Sequence, residues 1–187
     1  MRTVHHKHRH SFRWIVLIFL LCLCGSLGTV QAEEIISQEY KLKAAFLVNF
    51  PRFITWPEQS FAQEQQDFTL CVAGKNPFGT LLQGVEGQKI NGRNLRIVAA
   101  DSFQKLPQCH MLYISRSEKG DLDSLLSRTV QQPVVTVSDI QGFVSAGGSI
   151  EFVTKEDRLS FVINNSVLKK RGIQASASML DLAASVQ

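Results

Sequence analysis

The sequence predicts an α/β fold: a doubly wound, mostly parallel sheet flanked by helices, with a C-terminal antiparallel hairpin, a Rossmann-like three-layer sandwich. Three observations carry this. Four short runs, Phe68–Ala73, Leu95–Ala99, His110–Ile114 and Val134–Val137, are apolar on both alternating sides, as strands covered by helices on both faces require. Helical or turn material separates them, and such a β-α rhythm favours parallel strands joined by crossovers. After Gly147-Gly148 the pattern changes: Ser149–Val153 and Leu159–Ile163 flank the polar turn Lys155-Glu156-Asp157, which reads as an antiparallel hairpin.

The elements follow in chain order. Residues 1–32 read as a cleaved export signal, leaving residues 33–187 as one domain. A basic stretch with Arg2, Lys7, Arg9 and Arg13 precedes the apolar run Trp14–Cys24, and Val30-Gln31-Ala32 stands before Glu33 and Glu34. That order of charge, apolar run and small residues is a secretory pattern, and the run is short of the roughly twenty apolar residues that a membrane span needs. Ser37 is placed to cap a helix running through Glu39 to Phe50. Leu42, Ala45, Phe46, Phe50 and Phe53 fall near helical spacing on one face; Pro51 and then Trp56-Pro57 end it. The glutamine-rich stretch from Glu58 to Asp67 reads as a loop. The crossover helices are expected over Pro77–Gln83 and Leu122–Thr129. Asn164 or Asn165 is placed to cap a short helix from Val167 to Arg171 that Gly172 ends, and a last helix is expected over Ser178–Val186.

Charge and composition narrow the function. The chain carries 20 Lys and Arg against 16 Asp and Glu, and the whole excess lies in the four basic residues of the export signal. The remaining domain is neutral, so electrostatics give no case for nucleic acid. His5, His6, His8 and His10 leave with the signal, and a single histidine, His110, makes a poor metal site. No metal or other cofactor is expected. Two cysteines, Cys71 and Cys109, remain; in an exported protein such a pair reads as a disulfide, the alternative being two buried thiols.

A catalytic constellation is not apparent. No Gly-x-Ser-x-Gly elbow occurs, and His110, opening an apolar strand, reads as a structural imidazole rather than a base. Gly142, Gly147 and Gly148 do not form a dinucleotide-binding pattern and precede a strand. Asp139 lies just past a strand, where doubly wound folds place site residues; an Asx-type cap of the next turn is the stronger reading. Arg52, Phe53 and Trp56 put a cation and two aromatic rings in one short stretch, either a ligand or partner shelf or, more simply, a core anchor. Lys169, Lys170 and Arg171 read as a solvated helix end.

The same residues carry a family resemblance. Tyr40-Lys41-Leu42-Lys43-Ala44-Ala45-Phe46-Leu47-Val48-Asn49-Phe50, Trp56-Pro57, Leu70-Cys71-Val72-Ala73-Gly74 and Asn76-Pro77-Phe78-Gly79 come in order. Cys109-His110-Met111-Leu112-Tyr113-Ile114-Ser115, Val135-Thr136-Val137-Ser138-Asp139, Gly147-Gly148-Ser149-Ile150 and Arg158-Leu159-Ser160-Phe161 continue it. This pattern resembles the YfiR family of bacterial periplasmic regulators across nearly the whole mature chain. The resemblance implies a compact α/β domain, often a homodimer, without catalytic activity. It implies repression of an inner-membrane diguanylate cyclase of the YfiN type through its periplasmic part, with an outer-membrane lipoprotein of the YfiB type sequestering the regulator. Lower cyclic-di-GMP and less biofilm would follow. Cys71 and Cys109 match a family disulfide position; the second pair of some members is missing here, where Ser145 stands. A small-solute sensor using the crevice beyond the parallel strand ends is the main alternative.

Overall fold

A computed structural model of the chain describes residues 29–61, 66–100 and 103–187, with side chains from Gln38 onward. The body of the predicted export signal therefore lies outside the described residues. The chain divides into two compact units, residues 1–39 and Tyr40–Gln187. In the first, the described part is helical; the second contains the sheet and all of the packing that follows.

Helix α1 spans Thr29–Asn49. It starts earlier than the expected cap, so Ser37 lies inside it; the good helix formers Gln31, Ala32, Glu33 and Glu34 explain the extension. Pro51 ends it as expected, converting the chain to a 3-10 turn over Phe50–Phe53. Then come β1 (Ile54–Thr55), β2 (Phe68–Ala73), β3 (Lys89–Ile90), β4 (Arg93–Ala100) and β5 (Met111–Ile114). Helix α2 (Leu122–Thr129) leads to β6 (Val135–Ser138) and to the hairpin β7 (Ile150–Lys155) and β8 (Arg158–Ile163). Helix α3 (Asn165–Lys170), β9 (Gln174–Ala175), helix α4 (Ala177–Leu182) and β10 (Ser185–Val186) close the chain.

The main sheet has the order β10-β8-β7-β6-β5-β2-β4-β3. Strand β2 pairs in parallel with both β4 and β5, β5 with β6, and β6 with β7. The hairpin β7–β8 is antiparallel, from Ile150 opposite Ile163 to Lys155 opposite Arg158. The fold is thus α/β with a mostly parallel sheet, as expected.

Both sheet faces are covered, and the alternation along the strands sorts the core into two. Phe68, Leu70, Val72, Met111, Tyr113, Val135 and Val137 join Leu47, Val48 and Phe50 of the α1 side. Cys71, Ala73, Leu112 and Ile114 join Leu122, Leu125 and Leu126 of α2. Each such aliphatic or aromatic side chain contributes roughly 1.5–3 kcal/mol when fully buried.

Two helices differ from expectation. The segment Pro77–Gln83 is a series of turns, followed by a 3-10 turn at Gln83–Val85. The Asn76 side chain accepts from the Phe78 N–H and Gly79 has φ 54°, so the backbone leaves helical geometry at its first turn. The last helix stops at Leu182, and Ser185–Val186 instead add a parallel strand to β8. There the unpaired edge of β8 takes the backbone hydrogen bonds that a helix would have kept. At α3 the expected cap is present: Asn164 Oδ1 accepts from the Val167 N–H at 3.0 Å, and Gly172 follows with φ 71°.

Candidate functional site

Three arrangements of side chains bear on function, and the first is at the C-terminal end of β6. Helix α1 lays Tyr40 and Lys43 one turn apart over this end. The Lys43 ammonium donates to Asp139 Oδ2 at 2.5 Å and the Tyr40 hydroxyl to the same oxygen at 3.0 Å. Arg116, from the 3-10 turn after β5, approaches it at 3.2 Å. The Lys43 side chain is 1% exposed and that of Asp139 2%, so this is a buried ion pair; the Arg116 side chain stays largely in solvent. Burial alone would raise the Asp139 pKa, but the Lys43 hydrogen bond and charge, with Tyr113 and Arg116, outweigh it and hold the carboxyl below its usual range. Burial likewise pushes the Tyr113 hydroxyl upward, the negative Asp139 adding to it. That hydroxyl lies beside the carboxylate without a well-formed hydrogen bond, since Tyr113 Oη and Asp139 Oδ1 are both buried and unpartnered. Asp139 is therefore not the expected cap of its own turn. Ser138 takes that task, its Oγ accepting from the Ile140 N–H at 3.0 Å, while Asp139 fastens α1 to the sheet. A buried carboxylate approached by three donors and held below its usual pKa is a fastening, not a proton-transfer group.

The second arrangement surrounds His110, which is 1% exposed. Its Nδ1 accepts from the Thr69 N–H at 3.0 Å, which fixes the proton on Nε2, 3.1 Å from the Ser60 carbonyl. The ring stacks on Phe61 at 4.4 Å and on Phe68 at 5.3 Å, and the Arg93 guanidinium covers the Phe61 ring at 3.9 Å. Burial lowers the imidazole pKa below 6.5, the Ser60 carbonyl opposes this, and the Arg93 charge reinforces it. A neutral histidine with both nitrogens occupied holds the 57–61 segment to the sheet.

The third is an apolar groove on the solvent side of α1. The face that the spacing of Leu42, Ala45, Phe46, Phe50 and Phe53 picks out is this groove wall; the core-facing stripe is Lys43, Ala44, Leu47 and Val48. The helix is apolar on two sides: on this one Phe50, Phe161 and Met179 belong to the core and form the floor, while Leu42, Phe53 and Leu182 stay exposed at the rim. Across the groove stand Phe161 of β8 and Met179 and Leu182 of α4, enclosing about 200 Å³. Phe46, Phe50 and Phe161 pack with ring centroids 5.0–5.7 Å apart, Phe161 edge-on to the other two. Among the described residues five large apolar side chains are exposed, and three of them, Leu42, Phe53 and Leu182, line this groove. A second cavity of about 340 Å³ lies on the other flank of the same helix, lined by Lys41, Arg52 and Gln88 over Ala44, Val48 and Leu82.

The stretch Arg52-Phe53-Trp56 is thereby divided. Phe53 faces the groove and Arg52 the second cavity, while Trp56 is buried, its Nε1 donating to the His110 carbonyl at 3.1 Å. Asp139 stands apart from all three. Of the basic helix end, Lys169 and Lys170 are exposed as expected, but Arg171 turns inward. It donates to the Val134 carbonyl, Ser149 Oγ and Thr129 Oγ1, and burial lowers its pKa to about 10. Sequence alone could not separate it from its neighbours, because its partners are polar atoms on three distant elements.

Cys71 of β2 and Cys109 before β5 are joined by a disulfide with Cα atoms 5.9 Å apart. Cys109 also borders a cavity of about 400 Å³ lined by Gln108, Gln131 and Gln132 at the opposite strand ends. At the β2–β5 switch point, Ser117 and Glu118 sit so close over Gly74 that an added Cβ would lie 2.4 Å from each. Among the described residues no group of three or more His, Cys, Asp and Glu is arranged to hold a metal ion, and no helix is long and apolar enough to cross a membrane.

Fold and site together define a Rossmann-like α/β domain whose strand ends are bound to its own side chains and whose open apolar surface lies along the first helix. The chain belongs to the YfiR/HmsC-like family, whose model matches residues 40–184. No curated protein matches it.

Proposed function

We propose that this protein is a periplasmic regulator without catalytic activity, which binds and represses an inner-membrane diguanylate cyclase of the YfiN type and so lowers cyclic-di-GMP and biofilm formation. Membership of the YfiR/HmsC-like family over residues 40–184 carries this reading. The groove on α1 supports it, because exposed Leu42, Phe53 and Leu182 around one depression form the kind of apolar patch that marks a protein contact. Residues 1–32 are read as the export signal, leaving one domain over 33–187, and a homodimer is the expected assembly. Arg52 and Phe53, one on each flank of α1, are the partner candidates.

Repression works by linkage. Binding to the inactive form of the cyclase shifts its equilibrium by the difference in affinity for the two forms. An outer-membrane lipoprotein of the YfiB type relieves repression if it binds the regulator exclusively of the cyclase. The test is deletion of the gene with measurement of cellular cyclic-di-GMP. The level is expected to rise, and to fall again with the full chain but not with one lacking residues 1–32. An unchanged level overturns the reading.

A further inference from the structure

The two cavities beside α1 share Ala45 and Asn49, so they are the two flanks of one surface with the helix as a low ridge between them. Exposed residues recur along that ridge at Lys41, Leu42, Ala45 and Asn49 of α1, one helical stripe, and continue at Arg52 and Phe53 of the 3-10 turn that follows. Ala45 makes the middle of the ridge low. Lys41 in α1 and Arg52 in the 3-10 turn that follows it stand at its two ends, eleven residues apart, about 18 Å at the rise of the two helix types. Neither is ion-paired among the described residues, and neither cavity has a carboxylate in its lining. Asp181 and Glu86 are neighbours in sequence of Leu182 and Val85 but line neither cavity.

We propose that this stripe is the docking surface for an acidic amphipathic helix of the partner, its apolar side chains seated in the Phe46–Phe161–Met179 groove and its carboxylates paired with Lys41 and Arg52. The length of the stripe fits three helical turns rather than a compact small molecule, and an amphipathic helix is what such a groove takes at i, i+3, i+4 and i+7 spacing. A second copy of this chain is disfavoured by charge. An isologous contact would set this face, with its two cations and no lining carboxylate, against itself. The proposal rests on the regulatory reading above and names the chemistry of its partner surface.

The test uses the exported chain with two fluorescent 18-residue peptides that share one Leu/Phe face and differ in flanking Glu or Lys. Anisotropy should give at least tenfold tighter binding of the Glu peptide. Lys41→Glu with Arg52→Glu should reverse that preference without touching the apolar floor, and Ala45→Trp, which raises the ridge, should weaken the Glu peptide at least tenfold. Equal binding of the two peptides, no binding of either, or unchanged binding by Ala45→Trp overturns the proposal. So does a dimer, seen by sedimentation, that Ala45→Trp dissolves, since the stripe would then serve a second copy. In cells, a chain carrying Lys41→Glu and Arg52→Glu at normal level should derepress as the deletion does. If the deletion raises cyclic-di-GMP and this variant still represses, the surface is wrong while the regulatory reading stands. If the deletion does nothing, that reading fails and the peptide result is judged alone.

Discussion

Asp139 shows how one carboxylate can decide the placement of a helix. Its partners Lys43 and Tyr40 are buried or half-buried, so Asp139→Asn removes the charge that the buried Lys43 ammonium donates to. Removing one member of such a pair costs about 3 kcal/mol or more, and urea denaturation at pH 7 should show a loss of that size. Because the folded pKa is lowered, the contribution is complete above the unfolded value near pH 4 and is lost as pH falls through the folded value. His110 acts in a different window. Its folded pKa is lowered too, so the unfolded imidazole takes up protons first and stability declines as pH falls below about 6.5. Stability against pH should therefore fall in two stages, and Asp139→Asn should abolish the lower one alone. Imidazole nitrogen spectra at pH 7 should show the neutral Nε2–H form that the Thr69 N–H bond to Nδ1 requires; a protonated ring there would contradict the assignment.

Among elements, legibility followed how local the determinants are. The strands β2 and β8, the helix α2 and the cap at Asn164 were readable because apolar spacing and a side-chain cap lie within a few residues. The hairpin β3–β4 was missed although Asn91-Gly92, with φ 50° and 83°, is its signature. The crossover Pro77–Gln83 was misread because its apolar residues have helical spacing while Asn76 and Gly79 set a turn. The groove was half legible: the apolar face of α1 was visible, but that it faces Met179 and Phe161 depends on contacts more than one hundred residues away. Two glycines separate the two reasons for keeping that residue. Gly79 has φ 54° with open space around it, whereas Gly148 has ordinary φ but would drive a Cβ to 2.2 Å from the buried Phe143 ring. Gly79→Ala should cost about 1 kcal/mol from backbone strain. Gly148→Ala should cost about 2–3 kcal/mol from overpacking, and thermal melts of the two variants check the order.

At the scale of the whole molecule, the sandwich is held by cross-links between segments distant in sequence. The disulfide closes 38 residues between neighbouring strands, and the chain-entropy relation gives about 4 kcal/mol for a loop of that length. Cys71→Ala with Cys109→Ala should lower the unfolding free energy by an amount of that order. A reductant should lower the wild-type melting temperature and leave that of the double variant unchanged. Both cysteines were identifiable as a pair from their number alone. The ion pair between Lys43 and Asp139 was not, because nothing in sequence marks which of sixteen carboxylates a lysine 96 residues away will meet.

That separation governs the order of assembly. A polypeptide emerges N-terminus first, from a ribosome or a translocation pore alike, so α1 appears long before the strand end that neutralises its inward-facing lysine. Until β6 arrives, seating the helix would bury that ammonium without the carboxylate it donates to, a cost that favours docking the helix after the strand end is in place. The fastening on Asp139 thus couples the seating of the first helix to the arrival of the sixth strand.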